Sequence, residues 1–477
     1  MKKYDLADYT SPETLLREVE RMNNFGVRLT GSAPHKQFID YLKGQVCKMG
    51  LRVYSDPHYF NRWEAKRASI VLHDADKTVD IPVSSVFPYS GETPPEGVTG
   101  ELVLLKSKRI GFFEARGKIA VAKVGNLNQL PSKVAFDERR SQPDTLHLPK
   151  NYSGPVATSF VNFPFLAAAK AAGVKAVICI WQGLPDALVE GQYLPFIMDY
   201  QGIPALWVSE TVGQRVIEAS EAAKRATLTL EADWERNCES ETFYCILDGQ
   251  SEDESVIINT HTDGTNCIEE NGPIALLALL RALKDKPLRR KHIFVFTTGH
   301  FRLPDFRDTL GGGVQATSRW LADHQDLWNG KRGHIRAVAG VSIEHLGCLD
   351  WQPDGAQYAA TGEIAPEMVY TGNRMMDDIY YAALEGRERV RTVTLRGHNF
   401  LHFGEGQPLF NVHIPEIALV TAPDSLCVIS ESHEMEKFDA QLMFDQTQTF
   451  LNCLTMLDEM PRDAIGSCER YSLLNLL

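Results

Sequence analysis

The stretch 255–280, SVIINTHTDGTNCIEENGPIALLALL, constrains the fold more than any other segment, because an apolar strand, a polar loop and an apolar helix follow one another directly. Val256, Ile257 and Ile258 stand in succession, as in a parallel strand buried on both faces, and the run ends in His261 and Asp263. Asn271-Gly272-Pro273 then opens a helix whose leucines and isoleucine recur at helical spacing. The polar groups therefore sit at the carboxyl end of a central strand, where open α/β sheets bind their ligands. Glu269 and Glu270 lie in the same loop. One imidazole converging with two or three carboxylates suits a divalent metal of the zinc type, whereas an all-oxygen set suits magnesium or calcium. The same residues also read as a solvated acidic loop with one hydrogen-bonding histidine, since such loops lie at the surface.

From Tyr244 onward, strands are expected at 255–260, 291–298, 338–344, 392–396 and 415–420, and helices at 273–285, 313–328, 374–386 and 436–457. This alternation predicts an α/β fold, a mostly parallel sheet with helices on both faces. Ahead of it, Thr10-Ser11-Pro12-Glu13 reads as a capped helix start, and a second helix ends at Gly50. Between about 84 and 231 the texture changes to short strands broken by proline and glycine, which predicts an inserted α+β domain. Within it, 125–154 reads as a long exposed loop. A chain of 477 residues exceeds the size at which one core usually stops growing. The expected division is 1–83, 84–231 and 232–477, the first and last parts forming one catalytic unit.

A net charge of -13, from 49 basic and 62 acidic residues, leaves no basic stripe for nucleic acid. The start, MKKYDLADYTSPETLL, has no apolar run behind its lysines, and no later segment is long and apolar enough to span a membrane, so a cytoplasmic protein is expected. The nine cysteines are scattered singly with no CxxC pair, which fits reduced thiols better than a disulfide framework. The expected partners are a small-molecule or short-peptide substrate and a second copy of the chain; neither nucleic acid nor membrane is expected.

Other strand ends carry ionisable groups too. KHIFVFTT runs into Gly299-His300-Phe301-Arg302, AVAGVSIE runs into Glu344-His345, Glu405 precedes the strand near Pro415, and His433 precedes the last helix. His345 reads as packing beneath the site, because successive strand side chains point to opposite faces. His398 and His402, in RGHNFLHFGEG, are further candidates from a loop, while Gly311-Gly312-Gly313 lacks the Lys-Ser/Thr of a phosphate loop.

FGVRLTGSAPHKQFIDYLKGQVCKMGL near the start, AAAKAAGVKAVICI and IPALWVSE in the inserted region, and ETFYCILDGQ followed by SVIINTHTDG together resemble one family. It is the zinc-dependent aminopeptidases of the bacterial leucyl aminopeptidase and glutamate carboxypeptidase type, specifically members with an inserted protease-associated (PA) domain. The resemblance covers nearly the whole chain and implies a centre of two metals sharing a bridging Asp. On it, His261 falls on the first histidine ligand, Asp263 on the Asp that orients it, Glu270 on the bridging Asp, and Glu344 on the Asp of a later strand end. The implied first metal set is therefore His261, Glu270 and Glu344. His433 is the nearest match to the last histidine ligand, and Glu405 lies where the family has an Asp. The family's adjacent glutamates, one the general base and one a ligand, are replaced by His300-Phe301, and a phenyl ring cannot bind zinc.

The expected function is a metal-dependent hydrolase of an amide or peptide bond in a small substrate, with one zinc per chain rather than two. His300 is then either the general base or a ligand that restores a second metal site with His433. The alternatives are a conventional aminopeptidase, a catalytically inactive binding or scaffold protein, and a single-zinc cyclase or transferase. Loss of both glutamates favours the inactive protein, whereas the joint exchange of Asp for Glu at 270 and 344 favours a reshaped site. The insertion, with Phe301, Phe306, Phe400 and Phe403, is expected to wall a pocket for an apolar or aromatic group.

Overall fold

The run Val256-Ile257-Ile258 becomes the centre of the sheet in the computed structural model, which describes residues 4–74, 77–107, 111–126, 130–306, 315–399 and 401–470. Strand Glu254–His261 lies between Lys291–Thr297 and Arg336–Ile343, parallel to both. Val256 and Ile258 enter one core while Ile257 enters another with Trp320 and Leu409, as the two-residue period of a strand requires. Beyond Arg336–Ile343 come Glu416–Val420, parallel to it, then Glu367–Thr371, antiparallel, then Thr392–Arg396. The chain is thus an α/β protein with a large central sheet flanked by helices.

Helix Gly272–Leu283 buries every residue except Arg281. Its six leucine and isoleucine side chains contribute on the order of 10 kcal/mol of gross apolar burial, and they hold the loop 262–271 against the strand ends. Helices Pro12–Asn23 and Ala440–Glu459 cover its outer side. The second of these begins a few residues later than its apolar pattern suggests, because Asp439 caps it by accepting from the Leu442 N–H at 2.8 Å.

Two long antiparallel strands, Tyr54–Asp74 and Arg225–Leu247, join the insertion to the rest. The start of Arg225–Leu247 pairs with Val98–Leu104, and its end pairs with Lys291–Thr297. The insertion's own strands, Ile119–Gly125, Ala176–Gln182 and Ala205–Ser209, are parallel to one another and continue the same sheet.

Two expectations need correction. The stretch 125–154 is not simply an exposed loop: Glu138–Gln142 pairs antiparallel with Thr392–Arg396 at the far edge of the central sheet, and Arg139 is ion-paired with Glu469 at 3.0 Å. ERRSQ has no apolar alternation, so its place is set by these partners rather than by its own pattern. The helix expected at 313–328 is the shorter Thr317–Asp323, and the glycine run 311–313 lies outside the described residues. Among the described residues no helix is long and apolar enough to cross a membrane.

Candidate metal centre

Three histidines come together from three strand ends. His261 closes the central strand opposite Thr297. His300 follows that neighbouring strand across Gly299, whose φ of 103° turns the chain sharply. His345 itself adopts a φ of 57°, so the backbone bends after Ile343 and both Glu344 and His345 face one centre. The alternation that would separate them belongs to extended backbone and ends with the strand.

Each imidazole is held through Nδ1. His261 Nδ1–H donates to the Asp263 carbonyl at 2.8 Å, His345 Nδ1–H to the Thr421 carbonyl at 2.7 Å, and His300 Nδ1–H to Glu405 Oε1 at 2.7 Å. In the neutral ring this leaves Nε2 as a lone pair aimed inward. Glu269 Oε1 stands 3.8 Å from His261 Nε2 and 3.9 Å from His345 Nε2, and Glu344 Oε2 stands 3.7 Å and 3.9 Å from the same atoms. Ligands around a zinc ion with bonds near 2.1 Å are about 3.4 Å apart, so this ring of alternating nitrogen and oxygen needs to contract by only about half an ångström.

Whether the residues fit a metal is settled by their unmet bonding. His261 Nε2, His345 Nε2 and Glu344 Oε2, three of the four ring atoms, are buried with no hydrogen-bond partner, while Glu269 turns Oε1 to the ring and leaves its buried Oε2 unpartnered outside it. Buried polar atoms are nearly always paired, so three orphans in one ring fit a cation well. Asp263, Glu269, Glu270, Glu344 and Glu405 are all buried in the same region. Burial and the neighbouring carboxylates push Glu269 well above the usual carboxylate range, and burial, then Glu405, raises Glu344 to about 8. Burial, then His300, depresses His261 strongly and His345 to about 3. Neutral imidazoles are the ligating form, and a cation would draw the carboxyls back to carboxylates. Two imidazoles with two carboxylates suit zinc.

His300 stands beside this ring. Its Nε2 is 3.8 Å from Glu269 Oε1, and its ring stacks on His261 at 4.1 Å. Glu405 also accepts from the backbone N–H of Ala316 at 3.1 Å and of Thr317 at 2.7 Å. Burial opposes the charge on both partners, but their mutual hydrogen bond and attraction prevail, so His300 is raised and Glu405 is lowered.

Several expected site residues lie elsewhere. Glu270 turns away from the ring: its Oε1 is ion-paired with Arg28 Nη2, and its Oε2 accepts from the Asn266 N–H at 3.2 Å. Arg28 is fully buried and requires a countercharge, and Glu270 supplies it while Glu269 faces inward. His433 is outside the cluster, its carbonyl accepting from the Cys267 N–H at 3.0 Å and its ring facing the charge of Arg28. Asp263 meets His261 through its carbonyl, not its carboxylate, which accepts from Thr30 Oγ1–H and from the Phe301 N–H at 3.0 Å.

His402 stacks on Tyr370 at 3.9 Å, away from the cluster. Phe301 packs on Phe196 at 4.7 Å, Phe306 packs edge-on to Phe60 at 5.8 Å, and Phe400 lies outside the described residues. Sequence reasoning named neither Glu269 nor His345 as a ligand. The signals present were the Glu269-Glu270 doublet, which leaves the inward residue undecided, and the Glu344-His345 pair at a strand end.

A cavity of about 40 Å³ opens on the cluster, bounded by Glu269, His300, Glu344 and His345 below and by Val156, Phe160 and Phe196 of the inserted region above. A larger hollow of about 960 Å³, between 131–138 and 147–151, does not reach the cluster. Among the described residues, His261, Glu269 and His345 bring ligand atoms within 4.8 Å of one another, close enough to hold a metal ion.

In overall fold the chain is similar to a zinc aminopeptidase from Bacillus subtilis (TM-score 0.63, 16% identity, covering 96% of this chain and 98% of that one). It is likewise similar to an aminopeptidase from Aneurinibacillus sp. strain AM-1 (TM-score 0.61, 15% identity, 96% of each chain) and to a peptidase M28 precursor from Shewanella amazonensis SB2B (TM-score 0.63, 14% identity, 94% of this chain and 96% of that one). At these identities the likeness establishes a zinc aminopeptidase-like fold. No sequence family model matches the chain, and no curated protein matches its sequence.

Proposed function

We propose that the chain is a zinc-dependent hydrolase of an amide or peptide bond in a small substrate. The observation that carries this reading is the meeting of three buried, unpartnered donor atoms, from His261, Glu344 and His345, with Glu269 Oε1 beside an imidazole anchored to a carboxylate. These residues would hold a zinc ion that, with one coordination position left open to water, would supply Lewis acidity and lower the water's pKa. Asp263 and Thr421 hold two of the imidazoles in the tautomer that leaves Nε2 free to bind. Glu405 does the same for His300, and its charge steadies the imidazole when Nε2 takes up a proton. His300 Nε2 is then the atom that accepts the proton of the attacking group and returns it to the leaving nitrogen. His300 falls outside the grouping of His261, Glu269 and His345, and its Nε2 is not among the buried unpartnered atoms, which favours proton transfer over ligation.

Val156, Phe160 and Phe196 exclude water from the cluster and favour an apolar group next to the scissile bond. The insertion, read as PA-like, thereby forms one wall of the site. The narrow cavity is also the observation that favours an inactive binding protein, since a peptide needs a wider opening than about 40 Å³.

Elemental analysis of protein purified without added metal, followed by a screen of amides and N-acyl amino acids with and without chelator, tests the proposal. We expect one zinc-type ion per chain and chelator-sensitive hydrolysis. Metal-free wild type, or unchanged metal content in His261→Ala, refutes the zinc centre, whereas bound metal with no turnover on any amide returns the protein to the binding class.

A further inference from the structure

Behind Glu269 the protein carries a positive charge of its own. Arg28 is completely buried, its Nη1 donates to the carbonyls of Met22, at 2.9 Å, and of Gly26, and its Nη2 donates to Asn23 Oδ1 at 3.4 Å besides pairing with Glu270. A guanidinium gripped on several sides and never deprotonated in proteins is a fixed charge. Glu270 pairs with it directly, and Glu269 Oε2, Asp263 Oδ1 and His433 Nδ1, donors of the types a divalent ion uses, are buried and unpartnered. Oε2 of Glu269 and Oε2 of Glu270 each lie 2.0 Å from the place of a Cβ on Gly264, whose N–H donates to the Arg28 carbonyl at 3.0 Å, so these residues share one neighbourhood.

We propose that Arg28 is a built-in cation that takes the place of a second divalent ion, draws Glu270 out of the ligand set and limits the centre to one metal. The inference rests on the reading of His261, Glu269, Glu344 and His345 as a zinc site. A second ion beside Glu270 would meet the guanidinium across a few ångströms of low-dielectric interior, where like charges repel strongly. With Arg28 neutralised, the same carboxylates and His433 are left with excess negative charge and free donor atoms.

The test is zinc per chain, measured by elemental analysis after loading and desalting, with affinity from competition against a chromophoric chelator. Wild type and Glu270→Gln should each hold one ion, with affinities within about tenfold of one another, and Arg28→Met should hold two. One ion in a folded Arg28→Met protein, or two in the wild type, overturns the role of Arg28 and leaves the zinc centre standing. No ion in the wild type overturns the zinc reading itself. If Arg28→Met does not fold, Glu270→Gln decides: a retained ion supports the proposal, and a lost or hundredfold weaker ion makes Glu270 a ligand and overturns it.

Discussion

Gly264→Ala puts a single methyl group against the centre. Gly264 has no positive φ, so its backbone tolerates alanine, and its lack of a side chain is required by space alone. A Cβ there would lie 2.0 Å from Glu269 Oε2 and 2.0 Å from Glu270 Oε2, more than an ångström inside van der Waals contact. Glu270 is tied to Arg28 and Asn266, whereas Glu269 Oε2 has no hydrogen bond, so Glu269 should yield. A displacement of about 1 Å in a positioned group can cost about a hundredfold, equivalent to roughly 2.7 kcal/mol. The strain of overpacking should also lower stability by about 1–3 kcal/mol. Chelator competition reads the zinc affinity, and circular dichroism melting confirms the fold. Gly44→Ala is the control, since a Cβ there meets nothing within 4 Å, and in mid-helix it should leave zinc affinity unchanged while stabilising by about 1 kcal/mol. A folded Gly264→Ala protein that binds zinc within threefold of wild type would remove Glu269 from the donor set and refute the reasoning.

Three further outcomes are expected. Glu405→Gln presents an amide N–H₂ where the carboxylate accepts from His300, Ala316 and Thr317, so turnover should fall by about 10²-fold or more with zinc content still one per chain; steady-state kinetics beside elemental analysis would separate this from metal loss. Burial raises the Asp424 carboxyl to about 6 from 3.8, so its ionisation opposes folding above that pH, and the penalty fades as pH falls towards 4. Asp424→Asn should therefore raise the melting temperature at pH 8, by up to about 3 kcal/mol of stability, and not at pH 4; equal effects at both pH values count against it. Phe160→Ala, at a half-exposed wall of the cavity, should raise kcat/KM for bulkier acyl groups relative to small ones, and a uniform change across substrates would mean that Phe160 sets no size limit.

The α/β architecture was legible because its signals are local and periodic: Val256-Ile257-Ile258 divides between two cores, and the leucines of Gly272–Leu283 fill one of them. The strap Glu138–Gln142 was not, because a polar strand at a sheet edge takes its place from distant partners such as Glu469. At the centre, His261, Glu344 and His300 stood out as ionisable residues at strand ends. The choice between Glu269 and Glu270 depended on Arg28, more than two hundred positions earlier in the chain, whose buried charge claims one of them. His345 depended on one backbone dihedral, its φ of 57°, which no periodic pattern encodes.

Residues 300 to 302 link these features. Phe301 offers no donor atom and instead packs with Phe196 and Tyr193 of the insertion, at 4.7 Å and 5.9 Å, fastening that region over the strand ends. Arg302 adds to the same contact, its guanidinium 3.9 Å over the Tyr89 ring and its Nη1 donating to the Met198 carbonyl at 3.2 Å. The second imidazole of the proposed centre then comes from the next strand end, where the left-handed turn at His345 brings Nε2 inward. In that proposed arrangement His300, anchored to Glu405, is free of ligation, and a carboxylate-held imidazole can accept a proton. Phe196, which packs on Phe301, also lines the cavity, so in the proposed reading the wall that limits the substrate is tied to the strand end that carries His300.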